Sequence, residues 1–424
     1  MGLNRRTFFR QALGSFLFLS GWRSHGTGAS LPAYSAKTSR QDARFWSMVR
    51  KLFPLSEDRI YFNAGGLGPT PYPVLEAMDA LRQKLEAIGE TGHHYHEPVR
   101  RKVAHFLGAD PEEIAFTRNA TEGMNFIARG IPLQRGDEIV TTTHEHPGGA
   151  MPWLALAREK GLQIRLFEPD NDPEIFMANL KRAVTPRTRV LIFSHVTCTL
   201  GTVFQAREIC AWARARRIIS VIDGAQAIGQ IPVQLTDIGC DFYTASGHKW
   251  LLGPKETGIV YISKSARPDF QPSFVGAYSD QRYSLDDLTL EFRRDAIVNE
   301  YGTRDAAKVW GLGAAIDFIQ SLGQRTYFSR IQHLSGVLKS SLRQLHGVEL
   351  LTPLAKEQSA GIVTFRLIGR DYRDVSRQLM QQHRIRVRNV SEHKINAIRV
   401  SLHIYNSEKE INRLINALET MLKG

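Results

Sequence analysis

Short apolar runs alternate with longer segments of helical spacing from Glu138 onward, and this alternation restricts the fold of the chain more than any other feature. Each run has the length of one buried strand, and strands that alternate with helices form a mostly parallel sheet covered on both faces. The candidate strands are Glu138–Thr142, Leu162–Leu166, Val190–Ser194, Ile218–Ile222 and Phe242–Ala245, with Ile114–Thr117 and Gly258–Ile262 as further short runs. The intervening candidate helices are Gly148–Lys160, Asp172–Ala183 and Ala206–Arg216.

The rest of the chain predicts a second, smaller region after this α/β part. The sequence divides into an N-terminal segment (30–60), a large domain (61–320) and a small α+β C-terminal domain (321–424). The small domain has candidate strands at Val348–Leu351, Ile362–Phe365 and Ile398–Ser401, and candidate helices at Thr326–Leu345, Tyr372–His383 and Ser407–Leu422.

Polar residues follow several of the predicted strands, where sites in parallel sheets lie. Lys249, in the run Ser246-Gly247-His248-Lys249, follows one strand, and Asp223 follows another. A buried acid requires a cationic partner, which a protonated pyridine nitrogen would provide, and a partly neutral lysine can hold an aldehyde as a Schiff base. Together they indicate pyridoxal 5′-phosphate (PLP). The alternatives are a surface lysine in a turn and an aspartate that caps a strand.

An anion site is predicted where the segment Arg118–Gly123 opens a helix. The backbone amides of Ala120 and Thr121, with the Thr121 hydroxyl, would hold a phosphate at the helix N-terminus. Capping by Asn119, with Glu122 three residues later, is an alternative that is compatible with phosphate binding.

The chain resembles the class V aminotransferase-type PLP enzymes, a group that includes cysteine desulfurases, kynureninases and isopenicillin N epimerases. The resemblance extends from about Ile60 to the C-terminus and implies PLP-dependent fold type I. It rests on six stretches in the family's order: Arg118-Asn119-Ala120-Thr121-Glu122-Gly123, Glu145-His146-Pro147, Asp223-Gly224-Ala225-Gln226, Ser246-Gly247-His248-Lys249, Glu300-Tyr301-Gly302-Thr303 and Arg399-Val400-Ser401.

The resemblance also implies roles around the cofactor. His146 would stack on the pyridine ring, Gln226 would donate to the phenolic oxygen, and Ser246 and His248 would contact the phosphate. Gly302 and Thr303 would reach the phosphate of a neighbouring subunit, which implies a homodimer.

The substrate side has four candidates. Asn63 and Gly65 lie in a glycine-rich loop that borders the substrate pocket in the family. Arg399 corresponds to the family's carboxylate-binding arginine, since a guanidinium matches a carboxylate in a bidentate manner. Arg304 either reads an acidic group of the substrate or pairs with Asp305 or Glu300.

The sequence departs from the desulfurases in one respect. Those enzymes need a nucleophilic cysteine shortly before the carboxylate-binding arginine, and the segment Val387–Lys394 has none. Cys198 stands where many relatives have an asparagine near the cofactor, which leaves the contacts of the cofactor oxygen open. The pattern is most similar to the isopenicillin N epimerase-like branch.

These features lead us to expect transaminase-type chemistry on an amino acid or a peptide-bound amino group. The alternatives are an epimerase or a carbon–sulfur lyase on the same scaffold, and a non-catalytic PLP-binding protein. Tat-exported PLP enzymes of fluorescent siderophore (pyoverdine) maturation, which act on a glutamyl group of a peptide, also resemble this chain.

The N-terminus has the order of an export signal. Asn4-Arg5-Arg6-Thr7-Phe8-Phe9-Arg10 is typical of a Tat signal, and an apolar stretch (12–22) and small residues up to Ala29 follow it. An uncleaved amphipathic helix is the alternative. Because the Tat machinery carries folded proteins, a cofactor-loaded enzyme could be exported, so we expect a periplasmic protein.

Composition narrows the remaining possibilities. The net charge is +13, but the basic residues are scattered and do not favour a nucleic-acid partner. No apolar run has the roughly 20 residues needed to span a bilayer. Cys198, Cys210 and Cys240 have neither disulfide nor metal-ligand spacing, so we expect three buried free thiols and no metal site.

Overall fold

The computed structural model describes residues 43–423. The strands are β1 (Ile60–Tyr61), β2 (Ile114–Thr117), β3 (Glu138–Thr142), β4 (Gln163–Phe167), β5 (Thr188–Ser194), β6 (Ile219–Asp223), β7 (Phe242–Ser246), β8 (Gly258–Ile262), β9 (Asp280–Ser284), β10 (Thr289–Phe292), β11 (Val348–Leu350), β12 (Ile362–Leu367), β13 (Ile385–Arg386), β14 (Arg388–Val390) and β15 (Ala397–Ser401). The helices are Ala43–Lys51, Tyr72–Ile88, His96–Leu107, Ala120–Gly130, Pro147–Lys160, Pro173–Ala183, Ala206–Arg214, Leu235–Ile238, Ala306–Leu322, Gln324–Arg343, Tyr372–His383 and Glu408–Lys423.

A seven-stranded sheet in the order β2–β8–β7–β6–β5–β3–β4 forms the centre of the structure. The five strands from β7 to β4 are parallel, and β8 and β2 complete the sheet in antiparallel pairings. The predicted mostly parallel α/β sheet is therefore confirmed, and each predicted strand differs from the observed one by two residues or fewer at either end. The carboxyl ends of β3, β5, β6 and β7 meet at one edge, so the segments that follow them lie close together.

The central sheet is covered by apolar side chains on both faces. One cluster joins the sheet to the helices Ala120–Gly130 and Pro147–Lys160, with Ile139, Val190 and Trp153 among its fully buried members. Burial on both faces explains why these strands appear in the sequence as nearly continuous apolar runs.

A second sheet, β11–β12–β15–β14, is antiparallel and lies in the C-terminal part of the chain. It shares a buried core with the helices Gln324–Arg343, Tyr372–His383 and Glu408–Lys423. Strand β1 pairs with β13, and Asn63 forms a bridge to Ser401 at the end of β15. This part has the expected α+β composition, while the domain boundaries 61–320 and 321–424 stay predictions.

The short strands β1, β13 and β14 were not predicted, and neither was a hairpin made of β9 and β10. It carries several exposed apolar side chains, including Tyr283, Leu285, Leu288 and Leu290. Apolar and polar residues are both mostly exposed in these two strands. The hairpin therefore has no buried face that its sequence pattern could indicate.

The predicted signal peptide (1–29) lies outside the described residues, and so does the segment 30–42. Within residues 43–423, no helix combines the length and apolar character that a membrane crossing requires.

Candidate active site

Lys249 lies on a tight turn that follows β7. Gly247 at the start of the turn donates its N–H to the carbonyl of Thr257 at 2.7 Å. The glycine-rich loop packs directly on this turn, where Gly68 donates its N–H to the carbonyl of His248 at 2.8 Å. A Cβ atom at position 68 would lie 1.8 Å from the Lys249 carbonyl oxygen, so only glycine permits this contact.

The charges around Lys249 favour a partly neutral amine. Burial lowers the pKa of Lys249, and the guanidinium groups of Arg399 and Arg388 lower it further, while Asp223 opposes them. A lysine amine with a lowered pKa can act as a nucleophile and as a proton carrier. This is the electrostatic environment that a Schiff-base lysine requires.

Asp223 is buried at the end of β6, close to the start of the helix Pro147–Lys160. Its Oδ1 accepts the N–H of Ala225 at 2.9 Å, and its carbonyl accepts the N–H of His195 at 2.9 Å. A Cβ atom at Gly149 would be 2.9 Å from Asp223 Oδ2, so this glycine lets the helix approach the carboxylate.

His146 caps the same helix. Its Nδ1 accepts the N–H of Gly148 at 3.0 Å, which places the ring proton of the neutral imidazole on Nε2. Burial lowers the pKa of His146, and the Lys249 charge lowers it further. His146 is therefore a neutral imidazole near Lys249 and Asp223.

Glu145 is a buried carboxyl that had no predicted role. Its oxygens accept the Thr142 hydroxyl at 2.6 Å, and the N–H and hydroxyl of Ser194 at 3.1 and 2.7 Å. Burial raises the pKa of Glu145 to about 7, and the nearby Asp223 adds to this increase. The carboxyl thus joins the ends of β3 and β5 beside Asp223, which pairs with Ser194 in the sheet.

The predicted phosphate residues converge at the start of the helix Ala120–Gly130. The Ser246 hydroxyl accepts the N–H of Ala120 at 3.2 Å, and the Thr121 hydroxyl faces Gly148. Asn119 caps the helix by accepting the N–H of Glu122 at 2.9 Å, as expected. His248 lies near this end of the site, with Nδ1 at 3.2 Å from the carbonyl of Thr257.

Gln226 lies between the lysine turn and the glycine-rich loop. Its Nε2 donates to the carbonyl of Gly65 at 2.8 Å, and its Oε1 accepts the indole N–H of Trp250 at 2.8 Å. The Trp250 contact, which the sequence analysis did not find, fixes which end of the amide faces Gly65. The expected contact of Gln226 with a cofactor oxygen stays a prediction.

Arg399 is buried beside the glycine-rich loop. Its Nη1 donates to the carbonyl of Cys198 at 2.8 Å, and its Nη2 donates to Asn63 Oδ1 at 3.1 Å. Its Nε and the nearby Ser401 hydroxyl have no hydrogen-bond partner within the described residues. Burial, assisted by the charge of Arg388, lowers the pKa of Arg399 to about 9. A buried guanidinium with neutral partners and an unused donor suits an anionic ligand.

The remaining predicted residues lie on a separate stretch. Gly302, with φ of 70°, donates its N–H to the carbonyl of Ala277 at 3.0 Å, and Thr303 is exposed. Arg304 donates to the carbonyls of Phe116 and Asn299 at 2.8 and 3.2 Å, rather than pairing with either carboxylate considered in the sequence analysis. Its substrate role stays a prediction.

All three cysteines are free and buried, as expected. Burial raises the pKa of Cys198 to about 11 and that of Cys210 to about 12, so both stay protonated near neutral pH. Among residues 43–423 there is no group of three or more metal-ligating side chains with the geometry of a metal site.

The donor set fits PLP in its chemistry. A helix N-terminus with the Ser246 hydroxyl suits a phosphate, Asp223 suits a protonated ring nitrogen, and the partly neutral Lys249 amine suits an aldehyde. The fold and this site together define a PLP-dependent enzyme scaffold of fold type I.

Comparison with known proteins identifies the family. The profile described as "Aminotransferase class-V" matches residues 60–414, and the chain belongs to this family. The isopenicillin N epimerase of Amycolatopsis lactamdurans is 32% identical over 403 residues, which are 90% of this chain and 100% of that protein.

Solved structures with the same fold support the assignment. The apo structure of the cysteine desulfurase from Thermococcus onnurineus NA1 has a TM-score of 0.81 at 30% identity, and the match covers 89% of this chain and 98% of that one. A C-DES mutant with glycine covalently linked to its PLP cofactor has a TM-score of 0.80 at 28% identity, and the match covers 87% and 98%. PLP is the cofactor of this class of enzyme and of this site.

Proposed function

We propose that the chain is an exported PLP-dependent enzyme with transaminase-type chemistry on an amino acid or a peptide-bound amino group. The observation that carries this proposal is the arrangement of Lys249, which follows β7 of the central sheet, and Arg399, on β15 of the C-terminal sheet. A partly neutral amine that can move a proton lies within electrostatic reach of a buried guanidinium that can hold a carboxylate.

The cofactor would be held by residues already described. Lys249 would hold the aldehyde carbon, Asp223 the protonated ring nitrogen, and His146 would lie against the ring. Four residues would hold the phosphate: Ala120, Thr121, Ser246 and His248. When bound, PLP supplies an electron sink for the charge left at the α-carbon after a bond there breaks.

The chain's own residues would position the substrate and move its proton. Arg399 would bind the α-carboxylate by charge-assisted hydrogen bonds, and Asn63 holds that guanidinium in place at 3.1 Å. The Lys249 amine, with its lowered pKa, would take the proton from the α-carbon at Nζ. The expected product is a keto acid, whose carbonyl oxygen would come from water while the substrate's amino group would be left on the cofactor.

Elimination or epimerisation on the same scaffold is the second candidate. It is supported by the relative described as an isopenicillin N epimerase, and by C-DES, which is also described as a cystine C–S lyase in complex with cysteine persulfide. A desulfurase reaction with a cysteine nucleophile is disfavoured, because the loop before Arg399 has no cysteine and the three thiols are buried.

Export and assembly complete the proposal. The twin-arginine segment near the N-terminus supports delivery to the periplasm by the Tat machinery. The glutamyl group of a siderophore (pyoverdine) precursor is the substrate that the sequence resemblance favours. A homodimer, in which Gly302 and Thr303 reach the partner's phosphate site, is supported by the exposed apolar hairpin that adjoins them.

The experiment that tests the reaction is a titration of the purified protein with amino donors, followed by visible absorbance and product analysis. Lys249→Ala should abolish the visible absorbance of lysine-linked PLP, whereas Lys255→Ala, a matched change at an exposed lysine, should retain it. Glutamate or a glutamyl peptide should then be converted to the keto acid with bleaching of the visible band.

Each other outcome removes a specific part of the proposal. Inverted amino acid, or released thiol with pyruvate, would contradict transamination and support the second candidate. A protein that binds PLP through Lys249 and converts no amine would be a non-catalytic PLP-binding protein. Failure to take up PLP would contradict the enzyme proposal as a whole.

A further inference from the structure

Two arginines face the same side of the C-terminal sheet at directly opposed positions. Arg388 on β14 pairs with Arg399 on β15 in antiparallel register. Side chains at directly opposed positions of an antiparallel pair lie on the same face, and like charges there destabilise the sheet. The placement of two guanidinium groups in this way therefore needs a compensating anion.

Arg388 lies close enough to the active site for its charge to affect the pKa values of residues there. Its positive charge acts on Lys249, His146 and Arg399. No local pattern marks Arg388 as a site residue, because only the register between β14 and β15 brings it beside Arg399. It is half-buried, so water compensates its charge only in part.

The two guanidinium groups differ in their partners. Arg399 donates to a carbonyl and to an amide oxygen, which are neutral acceptors, and its Nε is unpartnered within the described residues. Arg388 pairs with the carboxylate of Glu392, four residues along the chain, through both of its terminal nitrogens. Two cations thus share one carboxylate from the protein at this point of the site.

Glu392 lies at the start of a short helical turn, Glu392–Lys394, that precedes β15. His393 and Lys394 in this turn, and Asn396 after it, have φ of 49°, 58° and 49°, which non-glycine residues rarely adopt. Such conformations persist where local contacts hold them, and the ion pair of Glu392 with Arg388 is a contact at the start of this turn.

We infer that Arg388 reads a second anionic group of the substrate, beyond the α-carboxylate held by Arg399, and that this group displaces Glu392. The inference rests on the proposed function and names its substrate class: free dicarboxylic amino acids such as glutamate, or a glutamyl peptide that carries a further anion, because the amide bond of a glutamyl group uses one of its carboxyls. Glu392 acts as the internal counter-ion that occupies Arg388 when no such substrate is bound. Arg388 would thus be a candidate for the recognition of a distal acid besides Arg304, whose guanidinium donates to two backbone carbonyls.

The test measures binding without turnover. The PLP-loaded full-length protein is titrated by calorimetry with succinate, glutarate and pentanoate, which carry no amine and so do not react. The better diacid should bind about tenfold or more tightly than pentanoate, because one additional charge-assisted contact is made. Arg388→Gln should reduce diacid binding to the level of pentanoate, while Arg386→Gln, at an exposed arginine two residues earlier, should leave the preference intact.

A second variant, Glu392→Gln, tests the inference independently, because it should strengthen diacid binding instead of weakening it. Removal of the competing carboxylate should raise diacid affinity above that of the unaltered protein and leave pentanoate binding unchanged. The inference would be overturned by equal affinities for diacids and pentanoate, by a preference that survives Arg388→Gln, or by unchanged or weakened diacid binding in Glu392→Gln. Thermal melting and the visible absorbance of bound PLP show that each variant is folded and loaded.

The two proposals fail separately. Products other than a keto acid would contradict the transaminase chemistry and leave the diacid preference in place. Loss of the preference, with keto acid still formed from monocarboxylic amines, would contradict only the role of Arg388.

Discussion

The ionisation of Glu145 affects the centre of the site because its carboxyl lies near Asp223. Its carboxyl joins Thr142 and Ser194 and lies near Asp223, and burial raises its pKa to about 7. A second negative charge beside Asp223 is thereby avoided below neutral pH. Asp223 can then be the anion that faces the cofactor ring.

This raised pKa predicts a stability effect that depends on pH. The folded-state pKa is about 7 and the ordinary value is 4.5, so the stabilisation is complete below 4.5 and is lost as the pH rises through 7. The difference corresponds to about 3 kcal/mol. In Glu145→Gln, the decrease in unfolding free energy between about pH 4 and about pH 8 should be smaller than in the unaltered protein by roughly this amount.

Urea unfolding of both proteins at the two pH values measures the difference, since other titrating groups contribute equally to each. Identical pH dependence in the two proteins would show that the pKa of Glu145 is the same in the folded and unfolded states, which would contradict the raised value.

Site residues that directly follow a strand could be predicted from the sequence. Site residues that enter the site through the pairing of two strands could not. Lys249, Asp223 and His146 follow buried strands, so the sequence indicates that they meet. Arg388 becomes part of the site through its register with Arg399, and no local pattern encodes that register. Arg304 has the right charge for a substrate contact, but the carbonyls of Phe116 and Asn299 occupy its guanidinium.

Among the structural elements, the segment that carries Gly302 and Thr303 is fixed by one buried ion pair. Arg100 donates to both carboxylate oxygens of Glu300 at 2.6 and 2.9 Å, and Glu300 also accepts the N–H of Phe116 at 2.6 Å. Burial would raise the pKa of Glu300, but Arg100 and His96 bring it down to about 2. The pair thus joins the helix His96–Leu107, strand β2 and the segment after residue 299.

Removal of Arg100 should therefore be costly. Arg100→Met leaves the Glu300 charge buried without compensation, so the free energy of unfolding should decrease by about 3–5 kcal/mol. Lys102→Met, in the same helix, removes a surface pair with Asp317 and should cost less than about 1 kcal/mol. Urea unfolding of the two variants measures the contrast, and similar losses in both would contradict the role of the buried pair.

Elements were predictable in proportion to their burial. Strands β2 and β8 have the predicted bounds because every residue in them is buried and nearly all are apolar. The hairpin of β9 and β10 was missed because its residues are mostly exposed and alternate without a buried face. Its formation depends on the tertiary structure around it.

At the scale of the whole molecule, the exposed apolar side chains of that hairpin are left uncovered by the described part of the chain. Leu285 and Leu288 are 79% and 88% exposed, and further apolar residues of the hairpin surround a cavity of about 530 Å³. Contiguous exposed apolar surface is typical of interaction sites. The segment that leads into the hairpin receives the hydrogen bond from Gly302 at 3.0 Å, so the hairpin adjoins the residues expected to reach a partner's phosphate.

The proposed homodimer therefore predicts a specific effect of charge on the hairpin. Leu285→Asp combined with Leu288→Asp should convert the dimer to a monomer, since two charges would be buried without partners at the interface. Ile368→Asp, at an apolar residue that is 66% exposed elsewhere, should leave the dimer intact. Analytical ultracentrifugation measures the mass of each variant.

The same double variant also links assembly to the cofactor. If Gly302 and Thr303 reach the partner's phosphate site, the monomeric variant should bind PLP more weakly, while the Ile368→Asp dimer should bind it normally. A hairpin variant that stays dimeric would exclude this surface as the interface. A monomer that binds PLP as tightly as the dimer would show that each chain holds the phosphate with Ala120, Thr121, Ser246 and His248 alone.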